Sequence, residues 1–258
     1  MIKRSATPTP ALHVQSLTVR RSRTFTLNIP RLELPSGRVI CVAGANGSGK
    51  TTFIETVVGL LTPNTGTREI AGQPLAATTM APKRALGFVP DDDGWIIPEL
   101  TAQEYLLLLA SIYRQPGATT NPLATAKTLA HKLLFDSFDQ QLSSLSHGNR
   151  KKVQLIAALM HSPALLVVDE LRNGLDPIAI NHAENLLKER AASGTAVLAA
   201  THDLWWAQRF ADEILMLHQG NVILHQETAK IVAEAGSVEA KFLQLYSAQT
   251  SSKEASDE

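Results

Sequence analysis

The sequence predicts an α/β fold, with a mostly parallel central sheet, an antiparallel β subdomain and an inserted helical subdomain. Apolar runs at residues 39–43 and 164–168, and a third at residues 195–200 that begins with a threonine, are typical of parallel strands that are buried on both faces. Between residues 12 and 34, short alternating segments are typical of antiparallel strands. A long helical stretch separates the first buried run from the second. With 258 residues, the chain is long enough for one such domain.

Residues 44–52 read Gly-Ala-Asn-Gly-Ser-Gly-Lys-Thr-Thr and directly follow the first buried strand. A helix-permissive stretch comes next, which gives the strand-loop-helix context that a phosphate-binding loop requires. The glycines allow successive backbone N–H groups to turn toward a phosphate at the positive end of the helix. We predict that Lys50 binds the β- and γ-phosphates and that the Thr51 hydroxyl binds Mg²⁺. The motif therefore predicts nucleotide binding.

Composition argues against a nucleic-acid-binding, a disulfide-rich and a membrane-spanning protein. The chain has 24 basic and 24 acidic residues, so its formal net charge of zero argues against an overall attraction to nucleic acid. Cys41 is the single cysteine and lies in an apolar strand, which predicts a buried side chain and no internal disulfide framework. Threonines and prolines follow Lys3 and Arg4, so no signal peptide is expected. The longest apolar runs are shorter than the roughly 20 residues of a membrane-spanning helix.

The N-terminal part of the chain alternates apolar and polar residues between turn signals. Residues 1–10 are rich in threonine and proline, and we expect them to be disordered. Arg20, Arg21 and Arg23 separate the first two strands, where a solvated turn and a role near the nucleotide both stay open. The elements predicted in this part are strands at residues 13–19, 25–29, 67–72 and 85–90 and a helix from residue 50 to about residue 61.

A helical segment follows the strand at residues 85–90. Thr101 and Glu104 have the spacing of a capping box, directly ahead of an apolar run. Helical periodicity then continues to about residue 160, with breaks at residues 115–117 and 121–122. We therefore predict an inserted helical subdomain at about residues 98–160.

Polar side chains follow the two later buried strands. Asp169 and Glu170 come after the run at residues 164–168, and His202 follows the run at residues 195–200. Because ligands in open α/β sheets bind at the carboxyl ends of strands, we expect these side chains to meet the phosphate loop in one site. The rest of the chain predicts a helix at residues 178–192, a hairpin around residues 219–221, a helix at about residues 229–246 and a disordered tail at residues 248–258. Residues 11–247 are thus predicted to form a single domain.

Together these motifs resemble the nucleotide-binding subunit of an ATP-binding cassette (ABC) transporter. The resemblance covers nearly the whole chain and implies a P-loop NTPase core of the RecA type. Residues 99–106 and the short C-terminal tail look most like ATPases of the ABC-2 type, which mostly serve exporters. The segments that carry the resemblance are the phosphate loop, Leu-Ser-His-Gly-Asn at residues 145–149, the strand that ends in Asp169 and Glu170, Asn-Gly-Leu-Asp-Pro at residues 173–177 and Thr-His-Asp at residues 201–203.

The resemblance implies a role for each motif residue. Glu170 would polarise the attacking water as general base, and His202 would contact the γ-phosphate. Ser146, a predicted helix N-cap, opens a segment that resembles the family signature Leu-Ser-Gly-Gly-Gln, which in the family meets the nucleotide held by a second subunit. The residues assigned to ATP are Gly44, Ala45, Asn46, Gly47, Ser48, Gly49, Lys50, Thr51, Thr52, Ser146, Gly148, Asn149 and Asp176. Those assigned to Mg²⁺ are Thr51, Asp91 and Asp169.

Several positions depart from the family pattern. His147 replaces a signature glycine and Asn149 replaces the glutamine. Asp91 stands about where the family has its Q-loop glutamine, and three consecutive aspartates leave the register open by one; an aspartate there would bind Mg²⁺ through water. Leu171 and Arg172 replace the usual Pro-Thr, which would change how the following loop meets a partner. For stacking on adenine, Phe25 is a weak candidate.

Trp95, Ile96 and Ile97 form an apolar segment between Gly94 and Pro98. Two interpretations stay open: the side chains pack into the core, or they are exposed to a partner. In the family, a coupling helix of the membrane subunit docks at this place.

We predict an ATP-hydrolysing subunit that dimerises on ATP, because one phosphate loop and one signature per chain require two chains for a complete site. It would use ATP and Mg²⁺ and drive separately encoded membrane-spanning subunits, in export, from the inner face of the cell membrane. No nucleic acid partner is expected. Two alternatives stay open: a soluble cassette ATPase with a regulatory or assembly role, and a nucleotide-gated binding subunit with weak turnover.

Overall fold

The computed structural model describes residues 9–76, 78–113 and 121–254. These residues form one mixed sheet with helices packed on its faces. The strands are β1 (Leu12–Arg20), β2 (Thr26–Leu34), β3 (Val39–Ala43), β4 (Thr65–Ile70), β5 (Gln73–Pro74), β6 (Leu86–Val89), β7 (Leu165–Asp169), β8 (Ala196–Thr201), β9 (Glu213–His218) and β10 (Asn221–Glu227). The helices are α1 (Lys50–Val57), α2 (Met80–Arg84), α3 (Ala102–Tyr113), α4 (Pro122–Lys132), α5 (His147–Leu159), α6 (Pro177–Ala192), α7 (Leu204–Phe210), α8 (Thr228–Ala235) and α9 (Val238–Glu254), with a 3₁₀ turn at Leu142–Ser144.

The sheet has the strand order β5-β4-β1-β2-β10-β9-β3-β8-β7-β6. Strands β3, β8, β7 and β6 pair in parallel, and β9 is parallel to β3. Every residue of β3, β7 and β8 is buried, as the uninterrupted apolar runs predict. Because these strands share a direction, the phosphate loop, Glu170 and His202 all lie at one edge of the sheet.

Each buried strand sends alternate side chains to two different apolar layers. In β3, Cys41 faces the layer that contains α5, α6 and α7, and Ile40 faces the layer that contains α1. The prediction of a buried Cys41 is confirmed, and burial raises the pKa of its thiol. The central strands are therefore covered on both faces, which holds the loops at their carboxyl ends in place.

The antiparallel strands continue the same sheet rather than forming a second one. Strand β1 pairs with β2 and with β4, and a single parallel bridge joins Asn28 of β2 to Asn221 of β10. At this junction the Asn28 N–H donates to the Gly220 carbonyl at 2.7 Å, and the Gly220 N–H donates to the Ser48 carbonyl at 2.9 Å. The junction thus ties the antiparallel subdomain directly to the phosphate loop.

The helical subdomain lies between β6 and β7, as predicted. Its first helix has the predicted capping box: the Thr101 N–H donates to the Glu104 carboxylate at 2.8 Å, and the Glu104 N–H donates to the Thr101 hydroxyl at 3.2 Å. The helices α3, α4 and α5 bury their apolar faces in the layer that also covers β7. The predicted fold class is therefore confirmed.

Several predicted boundaries were wrong. Helix α1 ends at Val57 rather than near residue 61, because Gly59 has a φ of 87° and ends the helix. The helix predicted at residues 229–246 is two helices, separated at Gly236, which has a φ of 81°. The tail predicted to be disordered from residue 248 is helical to Glu254, because no glycine or proline interrupts the chain after Gly236.

Helices α2 and α7 were not predicted. The predicted disorder of residues 1–8 and 255–258 lies outside the described residues. Among the helices that the structure describes, none combines the length and the hydropathy that crossing a membrane would require.

Candidate functional site

The phosphate loop joins β3 to α1, and its backbone has the shape that its glycines permit. Gly47 and Gly49 have φ values of 75° and 111°, in the left-handed region that favours glycine. A Cβ on Gly44 would lie 2.5 Å from the Leu217 carbonyl oxygen, so only glycine fits there. The glycines therefore set the shape of the loop and let it pack closely against β9.

Lys50, the first residue of α1, lies over this loop. Its Nζ donates to the Gly44 carbonyl at 2.7 Å and to the Ala45 carbonyl at 3.2 Å. Burial lowers the pKa of Lys50, while the carboxylates of Glu170 and Asp169 act in the opposite direction. The ammonium group is thus held at the mouth of the loop, where phosphate oxygens would meet it.

A cavity of about 460 Å³ opens at this edge of the sheet. It brings together the phosphate loop, the ends of β7 and β8, and the residue that precedes β2. It is lined by Phe25, Asn46, Gly47, Gly49, Lys50, Thr51, Thr52, Asp91, Asp169, Glu170, Asn173 and His202. The predicted meeting of phosphate loop, Asp169, Glu170 and His202 in one site is confirmed.

Phe25, a weak candidate for stacking on adenine, and Asn173, a residue of the motif at 173–177 that was given no ligand role, both line the cavity. Phe25 also packs against the phosphate loop, since a Cβ on Gly49 would lie 3.1 Å from its ring. It is the aromatic side chain of this cavity, in position to stack on a nucleotide base. The Asn173 Nδ2 donates to the Asp91 carboxylate at 2.7 Å and so holds that side chain within the cavity.

Asp169 is buried at the end of β7. Burial, followed by the charges of Asp91 and Glu170, raises the pKa of its carboxyl to about 6. A divalent cation favours the ionised form of such oxygen ligands, and Thr51 adds a hydroxyl to the same cavity. Among the residues that the structure describes, no group of three or more His, Cys, Asp or Glu side chains could hold a metal by itself. The donors therefore fit Mg²⁺ that is bound by one or two carboxylates and completed by nucleotide phosphates.

Glu170 follows β7 with a φ of 46°, a left-handed conformation that is uncommon for a residue with a side chain. Its Oε1 accepts from the His202 backbone N–H at 3.1 Å and lies 2.8 Å from His202 Nδ1, and its Oε2 accepts from the Thr201 hydroxyl at 3.2 Å. Because an ionised carboxylate only accepts hydrogen bonds, Nδ1 of His202 carries the proton in this pair. The strand end therefore fixes the carboxylate, and among the described residues Nε2 of His202, a side chain that lines the cavity, has no hydrogen-bond partner.

The signature segment lies outside this cavity. Ser146 caps α5 by accepting from the Asn149 N–H at 3.3 Å, which confirms the predicted N-cap. Gly148 packs against the loop at residues 173–176, because a Cβ on it would lie 2.9 Å from the Gly174 carbonyl oxygen. Asp176 caps α6 by accepting from two N–H groups, each at 2.9 Å. These predicted ligands do not reach the cavity of their own chain.

The substitution of Leu171 and Arg172 for Pro-Thr has a structural counterpart. Leu171 is buried, and the Arg172 guanidinium forms an ion pair with the Asp203 carboxylate. The other oxygen of Asp203 caps α7 by accepting from the Trp206 N–H at 2.8 Å. The loop after Glu170 is thereby joined to the segment that carries His202.

A second cavity of about 300 Å³ lies between the core and the helical subdomain. Trp95 is 50% exposed at its edge, with its ring edge-on to Phe88 at 6.1 Å between centroids. Ile97 is also exposed, whereas Ile96 packs on the core. The core interpretation therefore holds for Ile96 and was wrong for Trp95. Residues from both sides line the groove, including Leu60, Phe88, Trp95, Tyr105, Leu109 and Tyr113.

Comparison with known sequences gives a consistent result. The profile of the ABC transporter family matches residues 27–173. The ABC-type transporter ATP-binding protein EcsA of Bacillus subtilis (strain 168) is 29% identical over 239 residues, which cover 91% of this chain and 94% of the relative. The Nod factor export ATP-binding protein I of Rhizobium meliloti (strain 1021) is 29% identical over 233 residues, which cover 89% and 68%.

Solved structures agree with this result. An ATP-binding subunit of an ABC transporter superposes with a TM-score of 0.81 at 27% identity, covering 92% of this chain and 99% of the other. A dimeric ATP-binding cassette, in a post-hydrolysis state with ADP and Pi bound, superposes with a TM-score of 0.74 at 24% identity, covering 84% and 98%. The second likeness concerns the fold alone.

Proposed function

Because the chain belongs to the ABC transporter family, as an ATP-hydrolysing subunit, we propose that two cassettes enclose ATP and Mg²⁺ between them and drive membrane-spanning subunits in export. One observation carries the proposal: the chain holds a phosphate-binding cavity, while its signature segment lies outside that cavity. The ATP site is then complete only where the cavity of one chain meets the signature of another.

The signature segment is suited to a phosphate supplied by another chain. Helix α5 has 13 residues and begins at the Ser146 cap, so the N–H groups of its first turn provide an anion site at the positive end of the helix. A symmetric pair of chains would place each signature against the other cavity, since a two-fold interface uses the same surfaces twice. The solved cassette with ADP and Pi bound, which shares this fold, is itself dimeric.

The side chains of the cavity divide the chemistry between them. Lys50 neutralises the charge of the β- and γ-phosphates, and the Thr51 hydroxyl and Asp169 carboxylate hold Mg²⁺, which when bound adds positive charge near the transferred phosphate. Asp91 contributes a further carboxylate to the Mg²⁺ side. Glu170, held by Thr201 and His202, accepts a proton from the attacking water.

His202 is oriented for a second role. Because its Nδ1–H donates to the Glu170 carboxylate, its Nε2 is the ring nitrogen that would contact the γ-phosphate. We assign Asp176 a supporting role, since its carboxylate caps α6 beside the loop that packs on Gly148. The chain thus supplies the base and the phosphate contacts, and the partner supplies the anion site of its signature.

The groove beside Trp95 is the surface that we assign to a membrane-spanning subunit. It is largely apolar, it exposes Trp95 and Ile97, and it lies next to the loop that carries Asp91. Exposed apolar patches of this kind are typical of interaction sites. Export as the direction of transport is supported by the Nod factor export relative. The chain would then act at the inner face of the cell membrane, bound through that subunit.

The two-chain site is tested with Ser146→Asp. Aspartate also caps helices, so α5 keeps its cap, while a negative charge now repels the incoming γ-phosphate. This variant is preferable to a change at Gly148, where any side chain would meet the Gly174 carbonyl of the same chain. We expect ATPase activity to fall and ATP binding by the separate chain to be kept. Ser143→Asp, three residues earlier and also exposed, adds the same charge and should leave the activity unchanged.

Mixing variants identifies the chain in which each residue acts. Lys50→Ala removes the cation of the phosphate loop, and Ser146→Asp blocks the signature. Neither variant should therefore hydrolyse ATP by itself. A mixed dimer holds one site that combines an intact loop with an intact signature, and activity should return in part. If Ser146→Asp hydrolyses ATP at the wild-type rate, the signature is not part of the site. If mixing restores nothing, the two-chain site is refuted.

A further inference from the structure

One face of α5 holds the acidic loop at residues 90–93. Four residues make the contacts, and their spacing of i, i+3, i+4 and i+7 places them on one side of the helix. They are His147, Arg150, Lys151 and Gln154. The Lys151 Nζ donates to the Pro90 carbonyl at 2.6 Å and to the Asp91 carbonyl at 3.2 Å, and the Gln154 Nε2 donates to the Asp92 carbonyl at 2.9 Å. The loop that presents Asp91 to the cavity is therefore fixed to the helix that the signature begins.

Asp93 makes the contacts that lie nearest to the signature. Its Oδ2 accepts from the Arg150 Nε at 2.6 Å and lies 2.9 Å from His147 Nδ1. Arg150 also donates through Nη1 to the Leu145 carbonyl at 2.5 Å. Charged hydrogen bonds of this kind are stronger and more directional than neutral ones. The single carboxylate of Asp93 thus holds two residues of the first turn of α5, His147 and Arg150, which lie on either side of Gly148 in the chain.

His147 is fixed on its other side as well. A Cβ on Gly174 would lie 1.7 Å from the Cδ2 atom of His147, so the imidazole fills the space beside that glycine. The side chain that replaces a signature glycine therefore contacts both the acidic loop and the loop at residues 173–176. A histidine here has both an acceptor, Asp93, and a surface to pack against.

We propose that Asp93 is a positioning residue for the signature: through His147 and Arg150 it fixes the first turn of α5 in the orientation that meets the partner's nucleotide. Asp93 does not line the cavity of its own chain, so we expect its effect in the site that the signature completes. This proposal rests on the two-chain site proposed above. It predicts that loss of Asp93 acts like damage to the signature, although Asp93 lies more than 50 residues before it.

The first test is the kinetics of Asp93→Ala, with the isosteric Asp93→Asn as the variant that preserves packing. ATP affinity of the separate chain should stay as in wild type, while kcat falls about 10- to 100-fold, because a displacement of about 1 Å costs that much in a positioned site. Asp92→Asn is the matched control, since within the described part of the chain the Asp92 carboxylate accepts a hydrogen bond only from the Gly94 N–H of its own loop. Wild-type kcat in both Asp93 variants would overturn the proposal.

The second test asks in which site Asp93 acts. In a mixture of Asp93→Ala with Lys50→Ala chains, the mixed dimer contains one site with an intact phosphate loop and an intact signature. We expect the same recovery as in the mixture of Ser146→Asp with Lys50→Ala. If the Ser146 mixture recovers and the Asp93 mixture does not, Asp93 acts on its own cavity or on folding, and this proposal is refuted while the two-chain site stands. If neither recovers, the two-chain site fails and the proposal with it.

Discussion

Replacing Asp169 by asparagine is expected to stabilise the nucleotide-free protein while removing its activity. The carboxyl is buried at the end of β7 beside two other carboxylates, and its pKa of about 6 compares with an ordinary value of 3.8. The ionised form is therefore less favourable in the folded protein than in the unfolded chain. Asparagine keeps the shape of the side chain and removes the charge, so it resembles the protonated form.

The magnitude follows from the pKa difference. About 2 pKa units at 1.36 kcal/mol each give about 3 kcal/mol at pH 7.5. Between pH 4 and pH 6 the folded protein binds more protons at this group than the unfolded chain does, so the group's effect on the free energy of unfolding becomes more unfavourable as the pH rises through this window. At pH 5 the advantage of asparagine should therefore shrink to about 1.6 kcal/mol.

The assay is urea unfolding of the wild type and Asp169→Asn, without nucleotide and with a metal chelator, at pH 5 and pH 7.5. We expect the variant to be more stable at both pH values, and by more at pH 7.5. With MgATP the difference in stability between the variant and the wild type should narrow or reverse, because the wild-type carboxylate then binds a cation. Equal stabilities at pH 7.5, or a less stable variant, would refute the assigned environment of Asp169.

Two further predictions concern the edges of the site. Trp95→Ala should reduce co-purification with the membrane-spanning subunit by about tenfold or more, as for an exposed aromatic anchor, while ATP affinity stays unchanged. Leu134 is also exposed and apolar but lies elsewhere, so Leu134→Ala is the control. Equal capture of both variants would contradict the groove assignment. Phe25→Ala should weaken ATP binding by about 1–3 kcal/mol through lost base stacking and leave tripolyphosphate binding unchanged. An equal loss for both ligands would show that Phe25 supports the phosphate loop instead.

The elements that the sequence predicted well are those whose chemistry is local. A phosphate loop needs glycines at fixed spacing, a buried parallel strand needs an uninterrupted apolar run, and a helix cap needs a side-chain acceptor within a few residues. Each of these depends on residues that are adjacent in the chain, so the phosphate loop, the ends of β7 and β8 and the capping box at Thr101 are predictable from the sequence alone.

What the sequence did not predict depends on contacts between distant segments. Asp93 meets His147 and Arg150 across more than 50 residues, and Asn173 holds Asp91 across 82. No periodicity links such positions. The ion pair of Arg172 with Asp203 likewise joins two loops of the site, although Arg172 departs from the family pattern.

Two of the boundaries that failed, the ends of α1 and α8, share a different cause. Ends of helices depend on single glycines, as at Gly59 and Gly236, and glycine has φ values that the sequence alone does not show. The junction of β2 with β10 rests on one bridge at Asn28, which is too short a pairing to leave a pattern.

The central claim is that ATP is enclosed between two chains, and Glu170→Gln tests it most directly. Glutamine keeps the shape of the side chain and removes the base, so ATP should bind and stay unhydrolysed. Light scattering of this variant with MgATP should then show a dimer that holds two ATP molecules, and the protein without nucleotide should be monomeric. A monomer that binds ATP at full occupancy, or a variant that still hydrolyses ATP at the wild-type rate, would contradict the account.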